Sequence, residues 1–116
     1  MAQIRLRRAY DPPGKDDGTR ILVDRVWPRG VSKEDLQIDF WAKNIAPSTE
    51  LRRWFGHDPD KWSEFRRRYF NELDHNGEAV EELLSKVEGK RLTLVYGARD
   101  EQHNNAVALK EYLSEK

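Results

Sequence analysis

Along this chain the apolar residues recur with the period of a strand, then for some forty residues with that of a helix, then with each in turn. From Gln3 to Tyr10, Ile4 and Leu6 alternate with Arg5 and Arg7, the pattern of a strand with one wet face or of an edge strand. Asp11 to Gly18 is dense in breakers and charge and reads as an exposed loop. A second strand follows over Ile21–Val26. It stops where Pro28 lacks an amide donor and restrains Trp27. Ser32, with Glu34 and Asp35 behind it, opens one or two helical turns. Phe40, Trp41 and Ile45 suggest another short helix, closed by Pro47. Ser48 caps a third helix, which carries Leu51, Trp54 and Phe55 at i, i+3 and i+4 and ends at Gly56. Asp58 and Pro59 begin the clearest one, where Trp62, Phe65, Tyr69 and Leu73 form a stripe opposite Glu64, Arg66 and Arg67 and His75-Asn76-Gly77 ends the run. Ala79, Val80, Leu83, Leu84 and Val87 mark a further helix that ends at Gly89.

The chain then returns to a strand. Leu92 to Tyr96 is a short run of strand formers suited to an interior position covered on both faces. Beyond its carboxyl end come Arg99, Asp100, His103, Asn104 and Asn105, and then Ala106, Leu109 and Leu113 on one helix face. The order strand, strand, several helices, strand, helix is that of an α/β fold. The long crossover permits strands 21–26 and 92–96 to lie parallel through a right-handed connection.

Totals narrow the classes. At 116 residues without an internal repeat, one domain spanning 1–116 is the simplest reading. Lys plus Arg and Asp plus Glu balance at 21 each, so no global basic field drives nonspecific binding to nucleic acid. The absence of cysteine removes disulfides, thiolate metal sites and a thiol nucleophile. No run approaches the roughly 20 apolar residues of a membrane span, and the N-terminus has no apolar core of an export signal. A cytoplasmic protein without membrane attachment is expected.

Three blocks, LVDRVWPRG (22–30), APSTELRRWFGHDPDKWSEFRRRY (46–69) and TLVYGARDEQHNNAVALKEYL (93–113), resemble the YeaO-like branch of the domain-of-unknown-function family numbered 488. The resemblance covers nearly the whole chain and implies a small three-layer α/β domain with a mainly parallel sheet of about three strands and flanking helices. It brings no activity with it. Longer members carry a Cys and a Cys-His-Arg near the positions of Tyr96 to Asn104, and their strand ending in Asp-Val-Arg is similar to the one that opens rhodanese-type domains. This chain departs there: Tyr96 and Asn104 are not thiols, so sulfur transfer and Cys-dependent phosphate chemistry are not carried over.

In open α/β sheets ligands collect where strands end and helices begin. Arg25, Trp27 and Arg29 follow the second strand, while Tyr96, Arg99, Asp100, His103 and Asn104 end or follow the last one. Parallel neighbours would bring both groups to one rim, where guanidiniums offer paired donors to a carboxylate or phosphate. Asp100 is expected to orient an arginine or accept a proton, and His57 or His103 to move one. The competing account has Asp24 and Asp100 pairing with these arginines and stapling loops together, Asp58 serving only as a cap, and the histidines packed in turns. If Asp100 caps the last helix, His103 falls in its first turn. The three histidines show no ligand spacing, so no metal is expected, and no nucleotide fingerprint or cofactor motif is present.

The residues thus point to a domain that binds a small anionic ligand at the carboxyl ends of strands 21–26 and 92–97, with hydrolysis by water as the reaction open to it. The alternative is a non-catalytic module contacting nucleic acid or a protein through Arg52, Arg53, Arg66, Arg67 and Arg68. Zero net charge and the nearby Glu50, Asp60, Glu64 and Glu72 weigh against nucleic acid. The sequence leaves the oligomeric state open.

Overall fold

A parallel ladder organises the molecule. The computed structural model describes residues 3–115. Four strands, β1 (Gln3–Arg8), β2 (Thr19–Leu22), β3 (Phe40–Trp41) and β4 (Arg91–Tyr96), form one sheet in the order β1-β4-β2-β3, and every pair is parallel. Strand β4 is central and buried from Leu92 to Tyr96, as its unbroken apolar run requires. Strand β1 lies at an edge, which accounts for its alternating arginines. The parallel pairing expected between the second strand and the last is present, with Ile21 opposite Leu94 and Leu22 opposite Val95.

Side-chain alternation divides the core. Ile21, Val23, Leu92, Leu94 and Tyr96 point into the larger cluster, with Phe55, Phe65, Tyr69, Leu83 and Leu109. Leu22 and Val95 point the other way, to Ala9 and Leu36, with Trp27, Ile38 and Trp41 packed against them. The larger cluster lies beneath α2 (Thr49–Phe55), α3 (Trp62–Asp74), α4 (Gly77–Ser85) and α5 (Asn105–Ser114). The opposite face is covered more thinly, by α1 (Lys33–Leu36) and the loops around it. The layers flanking the sheet are therefore unequal.

Three boundaries differ from the expectation. Phe40 and Trp41, expected in a short helix, are a strand. They pair with Ile21 and Leu22, and the flanking bonds Asp39 N to Arg20 O (2.7 Å) and Ala42 N to Leu22 O (2.9 Å) extend the ladder. The open edge of β2 supplies hydrogen bonds that override a weak local preference, and only Lys43–Ile45 makes a single 3-10 turn. The second strand begins earlier than expected, at Thr19, and leaves the sheet after Val23, whose amide meets the Val95 carbonyl at 3.0 Å. Asp58 and Pro59 open a 3-10 turn over Pro59–Lys61 before the helix proper begins at Trp62.

The amino ends of the strands are held by a buried ion pair. Arg20 and Asp17 are 5% and 1% exposed, and Arg20 Nη1 donates to Asp17 Oδ2 at 2.5 Å. All three nitrogens of that guanidinium are engaged by protein: Nη2 meets the Leu36 carbonyl at 2.7 Å, and Nε is shared between the carbonyls of Leu36 and Gln37, each at 3.2 Å. Asp17 also accepts from Gly14 N at 2.9 Å and from Arg7 Nε at 3.1 Å. Burial pushes its carboxyl upward, but the Gly14 amide, Arg20 and Arg7 together hold it below the ordinary carboxylate range.

Removing one partner of such a pair leaves the other charge buried and costs about 3–5 kcal/mol. Asp17→Asn should therefore destabilise by about 3 kcal/mol or more at neutral pH in urea denaturation. Because the folded-state pKa is depressed, the stabilisation is fully present above the ordinary value of 3.8 and is lost as pH falls through the folded value, so the gap between wild type and variant should close in acid. A cost under about 1 kcal/mol at pH 7 would make the pair no stronger than a surface one.

Candidate functional site

At the opposite, carboxyl end of the sheet, the chain leaving β2 and the chain leaving β4 are joined by a side chain. Asp24 Oδ2 accepts the Gly97 amide at 2.8 Å, and Oδ1 accepts Asn105 Nδ2 at 3.1 Å. The same Asn105 nitrogen donates to the Val23 carbonyl at 3.1 Å, while Trp41 Nε1 holds the Asp24 carbonyl at 2.8 Å. The approach at Gly97 is close: a Cβ there would stand 3.2 Å from Asp24 Oδ2, which would have to give by a few tenths of an ångström. Arg8 Nε, reaching across from β1, fixes the loop beyond at the Ala98 carbonyl, 3.0 Å away.

Above this junction opens a cleft of about 340 Å³ lined by Asp24, Arg25, Val26, Ala46, Pro47, Arg52, Phe55, His57, Phe65, Gly97, Ala98, Asn104 and Asn105. Its floor is the strand ends and the start of α5, and its wall is α2. That helix is anchored as its sequence suggests. Ser48 Oγ accepts the Leu51 amide at 3.1 Å, and Glu72 of α3 takes both Ser48 N (2.8 Å) and Ser48 Oγ (2.6 Å). Buried Phe55 and Leu51 fix its rotation, so Arg52, three residues before Phe55, borders the buried stripe and faces the cleft. Gly56 ends α2 at φ 53°, and His57 follows at φ 58°, a left-handed conformation that strains a residue with a Cβ. That bend turns the imidazole toward the cleft instead of along the helix axis.

Arg25 reaches the Ala46 carbonyl through Nη2 at 3.3 Å, whereas its Nε is buried without a hydrogen-bond partner. Among the described residues no ion pair forms between Asp24 and either Arg25 or Arg52. The staple that would have tied Asp24 to an arginine is thus not made. Burial drives the Asp24 carboxyl above its ordinary pKa, against the opposing pull of the Gly97 amide, Asn105, Arg52 and His57.

Of the residues singled out from the sequence, Arg25, His57 and Asn104 line this cleft. Tyr96 is buried in the larger core cluster and lines no part of the cleft; Asn104 hydrogen-bonds its hydroxyl, and burial ahead of the Glu101 charge raises its pKa. Trp27 turns into the second core cluster: its Nε1 donates to the Val31 carbonyl at 2.7 Å and its ring meets Trp41 edge-on at 5.3 Å. Arg29 and Arg99 are exposed and line no part of the cleft. Asp100 and His103 form a turn of their own. Asp100 Oδ1 accepts the amides of Gln102 (2.9 Å) and His103 (3.0 Å), Oδ2 meets His103 Nδ1 at 2.9 Å, and the imidazole packs edge-on against Trp62.

The cap of α5 is not Asp100 but Asn104, whose Oδ1 accepts the Val107 amide at 2.9 Å. His103 accordingly precedes the helix instead of lying in its first turn. The Asp100 carboxylate is committed to the turn before the helix, and Asn104 Nδ2 donates back to the Asp100 carbonyl at 2.8 Å, so Asn104, already in extended backbone, takes the cap.

A family model, that of the inactive DUF488-N3 subclade, matches residues 3–116. The chain belongs to this DUF488-N3i family. It is 42% identical over 110 residues to the uncharacterized protein YeaO of Escherichia coli (strain K12), covering 95% of this chain and 96% of that one. It is 38% identical over 112 residues to the uncharacterized proteins Rv3073c of Mycobacterium tuberculosis (strain ATCC 25618 / H37Rv) and Mb3100c of Mycobacterium bovis (strain ATCC BAA-935 / AF2122/97), with 97% of this chain and 94% of each relative covered. No solved structure matches it significantly. In the DUF488-N3i chain no described helix is long and apolar enough to cross a membrane, and no group of three or more metal-ligating side chains is assembled among the described residues.

Sequence reasoning placed Arg52 of this DUF488-N3i chain only in the alternative helix-face contact with nucleic acid or a protein and Asp24 only in the staples, and it gave Asn105 no role. For Arg52 a signal existed, its i, i+3 relation to Phe55. For Asp24 and Asn105 none did, because only the folded junction shows which loop each side chain ties.

Two expectations follow. Since the folded-state pKa of Asp24 is raised, wild type should lose stability as pH rises from 3.8 through the folded value. Asp24→Asn should remove that part of the loss, so urea denaturation from pH 4 to 8 should show the variant gaining on wild type; parallel profiles would contradict the burial. His57→Gly should relieve the left-handed backbone and stabilise by about 0.5–1 kcal/mol, and a clear destabilisation would mean the ring itself holds the turn.

Proposed function

We propose that this domain binds a small anionic molecule in the cleft at the carboxyl ends of β2 and β4, and does so without turning it over. The observation that carries this is the convergence of two guanidiniums, Arg25 and Arg52, and the His57 imidazole on one cleft, with a buried Arg25 Nε that no protein atom satisfies. The start of α5 lies at the same cleft, and its amide end favours negative charge. Asn104 lines the wall in this reading, while Trp27 belongs to the second core cluster and the exposed Arg29 and Arg99 lie outside the cleft. Hydrolysis is the weaker part of the expectation. Of the acid and base candidates only His57 lines the cleft, whereas Asp100 and His103 satisfy each other in a separate turn. The description of the subclade as inactive agrees with binding alone.

The arginine-rich helix faces offer less to a nucleic acid. Arg66 pairs with Glu111, and Arg67 and Arg68 both pair with Glu64. Arg68 and Lys61 also flank the Trp54 ring at 4.1 and 5.1 Å, so the aromatic face on which a base would stack is occupied by the protein's own cations.

Inorganic phosphate and sulfate should raise the melting temperature of the wild-type protein, by the equivalent of about 2.7 kcal/mol at a hundredfold excess over Kd. Arg25→Ala and Arg52→Ala should each remove most of that shift, and Arg53→Ala, on the exposed side of the same helix, should keep it. Equal responses from all three variants would reduce the effect to general ionic screening.

A further inference from the structure

The charges inside the cleft are kept apart instead of neutralised. Asp24 shares the cleft with Arg25, Arg52 and His57, yet its carboxylate makes contact only with neutral donors, the Gly97 amide at 2.8 Å and Asn105 Nδ2 at 3.1 Å. Each oxygen thus holds one protein donor and retains accepting capacity. The carboxylate holds the strand ends together, but its charge opposes a bare anion at short range, and a neutral acceptor could make the same two bonds without that opposition.

We propose that the ligand is bifunctional, with an anionic group seated on Arg25 and Arg52 joined to a hydrogen-bond donor, an ammonium or hydroxyl, that meets Asp24. This rests on the anion-binding reading above and names the class of molecule: a small phosphorylated or carboxylated amine or alcohol. The cleft volume of about 340 Å³ lies at the small end of ligand pockets and suits such a molecule.

Among the described residues no cation forms an ion pair with Asp24. Arg52 and His57 act on it electrostatically from the α2 side without forming an ion pair, Arg25 is drawn to the Ala46 carbonyl, and Asn105 and Gly97 are already donating. Tyr69, which senses the Asp24 charge from the core, has its hydroxyl committed to the Ile45 carbonyl at 2.6 Å. Burial raises the carboxyl pKa in spite of the two neutral donors, which favours a ligand that brings the carboxylate a hydrogen-bond donor or a positive charge. Its position is fixed in advance, with the backbone carbonyl held by Trp41 and the side chain by two donors, so little ordering is needed on binding.

The test compares three phosphate esters that differ in what they carry beside the phosphate: methyl phosphate with no donor, phosphoethanolamine with an ammonium, and glycerol phosphate with hydroxyls. Affinities for wild type and Asp24→Asn are measured by titration calorimetry. At least one donor-bearing ester should bind wild type about tenfold or more tighter than methyl phosphate, the range of a charge-assisted hydrogen bond. Which of the two wins separates ammonium from hydroxyl as the partner. In Asp24→Asn that advantage should fall away, and methyl phosphate should bind more tightly than it does to wild type because the repelling charge is gone. Equal affinity of all three esters for wild type overturns the donor requirement and leaves the anion site standing, whereas failure of every ester to bind overturns the anion site itself. Should Asp24→Asn fail to fold, the wild-type series decides alone.

Discussion

The hydrogen bond from the Gly97 amide to Asp24 Oδ2 is the contact on which the cleft depends. Pairing between β2 and β4 ends at Leu22 and Val95, with one further rung from Val23 N to Val95 O, after which the two chains would be free to splay. Asp24 closes that gap by carrying the cross-link from backbone to side chain. Asn105 completes the triangle, donating to both Val23 and Asp24 and so tying the start of α5 to the same junction. The loops that follow the strands diverge from a fixed point, and the space between them is the cleft. A parallel sheet produces this arrangement naturally, because adjacent strands deliver their outgoing chains to the same side.

The two ends of the sheet use charge in opposite ways. At the amino end, Arg20 and Asp17 are in direct contact, nearly inaccessible, and further bonded to the Leu36 and Gln37 carbonyls, the Gly14 amide and Arg7. Buried this deeply, the pair presents almost no surface to a ligand. At the carboxyl end, Asp24, Arg25 and Arg52 stand around a cleft without meeting, one guanidinium nitrogen is buried and unsatisfied, and the backbone at His57 is held in a strained conformation. Unsatisfied donors and strained backbone persist only where surrounding packing holds them in place, and here Glu72 on Ser48 and the Phe55–Phe65 stack supply that hold.

Much of this architecture could be read from local chemistry alone. Ser48 and Gly56 delimit α2, Asp58 and Pro59 open the approach to α3, and the unbroken apolar run of β4 announces a central strand. These signals act within a turn or two of themselves and survive without tertiary context. What escaped was set by distant partners. A two-residue strand at Phe40–Trp41 exists because β2 offers an open edge. Arg20 is buried in a strand because Asp17 and two carbonyls of the α1 segment surround it, a fate that composition assigns to very few arginines. The cap of α5 fell to Asn104 because Asp100 was already engaged by Gln102 and His103. Of the candidate site residues, Arg25 just past β2, His57 just past α2 and Asn104 at the cap of α5 line the cleft; Arg99, in the loop between β4 and α5, is exposed, and Trp27 returns to the core.

The separation of charge in the cleft also explains why the competing account, a set of staples, is the less economical one. A staple would bring the Asp24 oxygens and a guanidinium to contact distance and remove both from the surface, as Arg20 and Asp17 do. Instead Asp24 is engaged by neutral donors that fix its direction without cancelling its charge, and Arg25 is drawn by the Ala46 carbonyl, which positions it without cancelling its charge either. Neutral partners that orient ions while leaving their fields intact cost stability unless something else completes the pairing. Among the described residues the deeply buried ion pair is in direct contact, and the charges at the other end of the sheet stand apart, which is the contrast on which the proposed ligand rests.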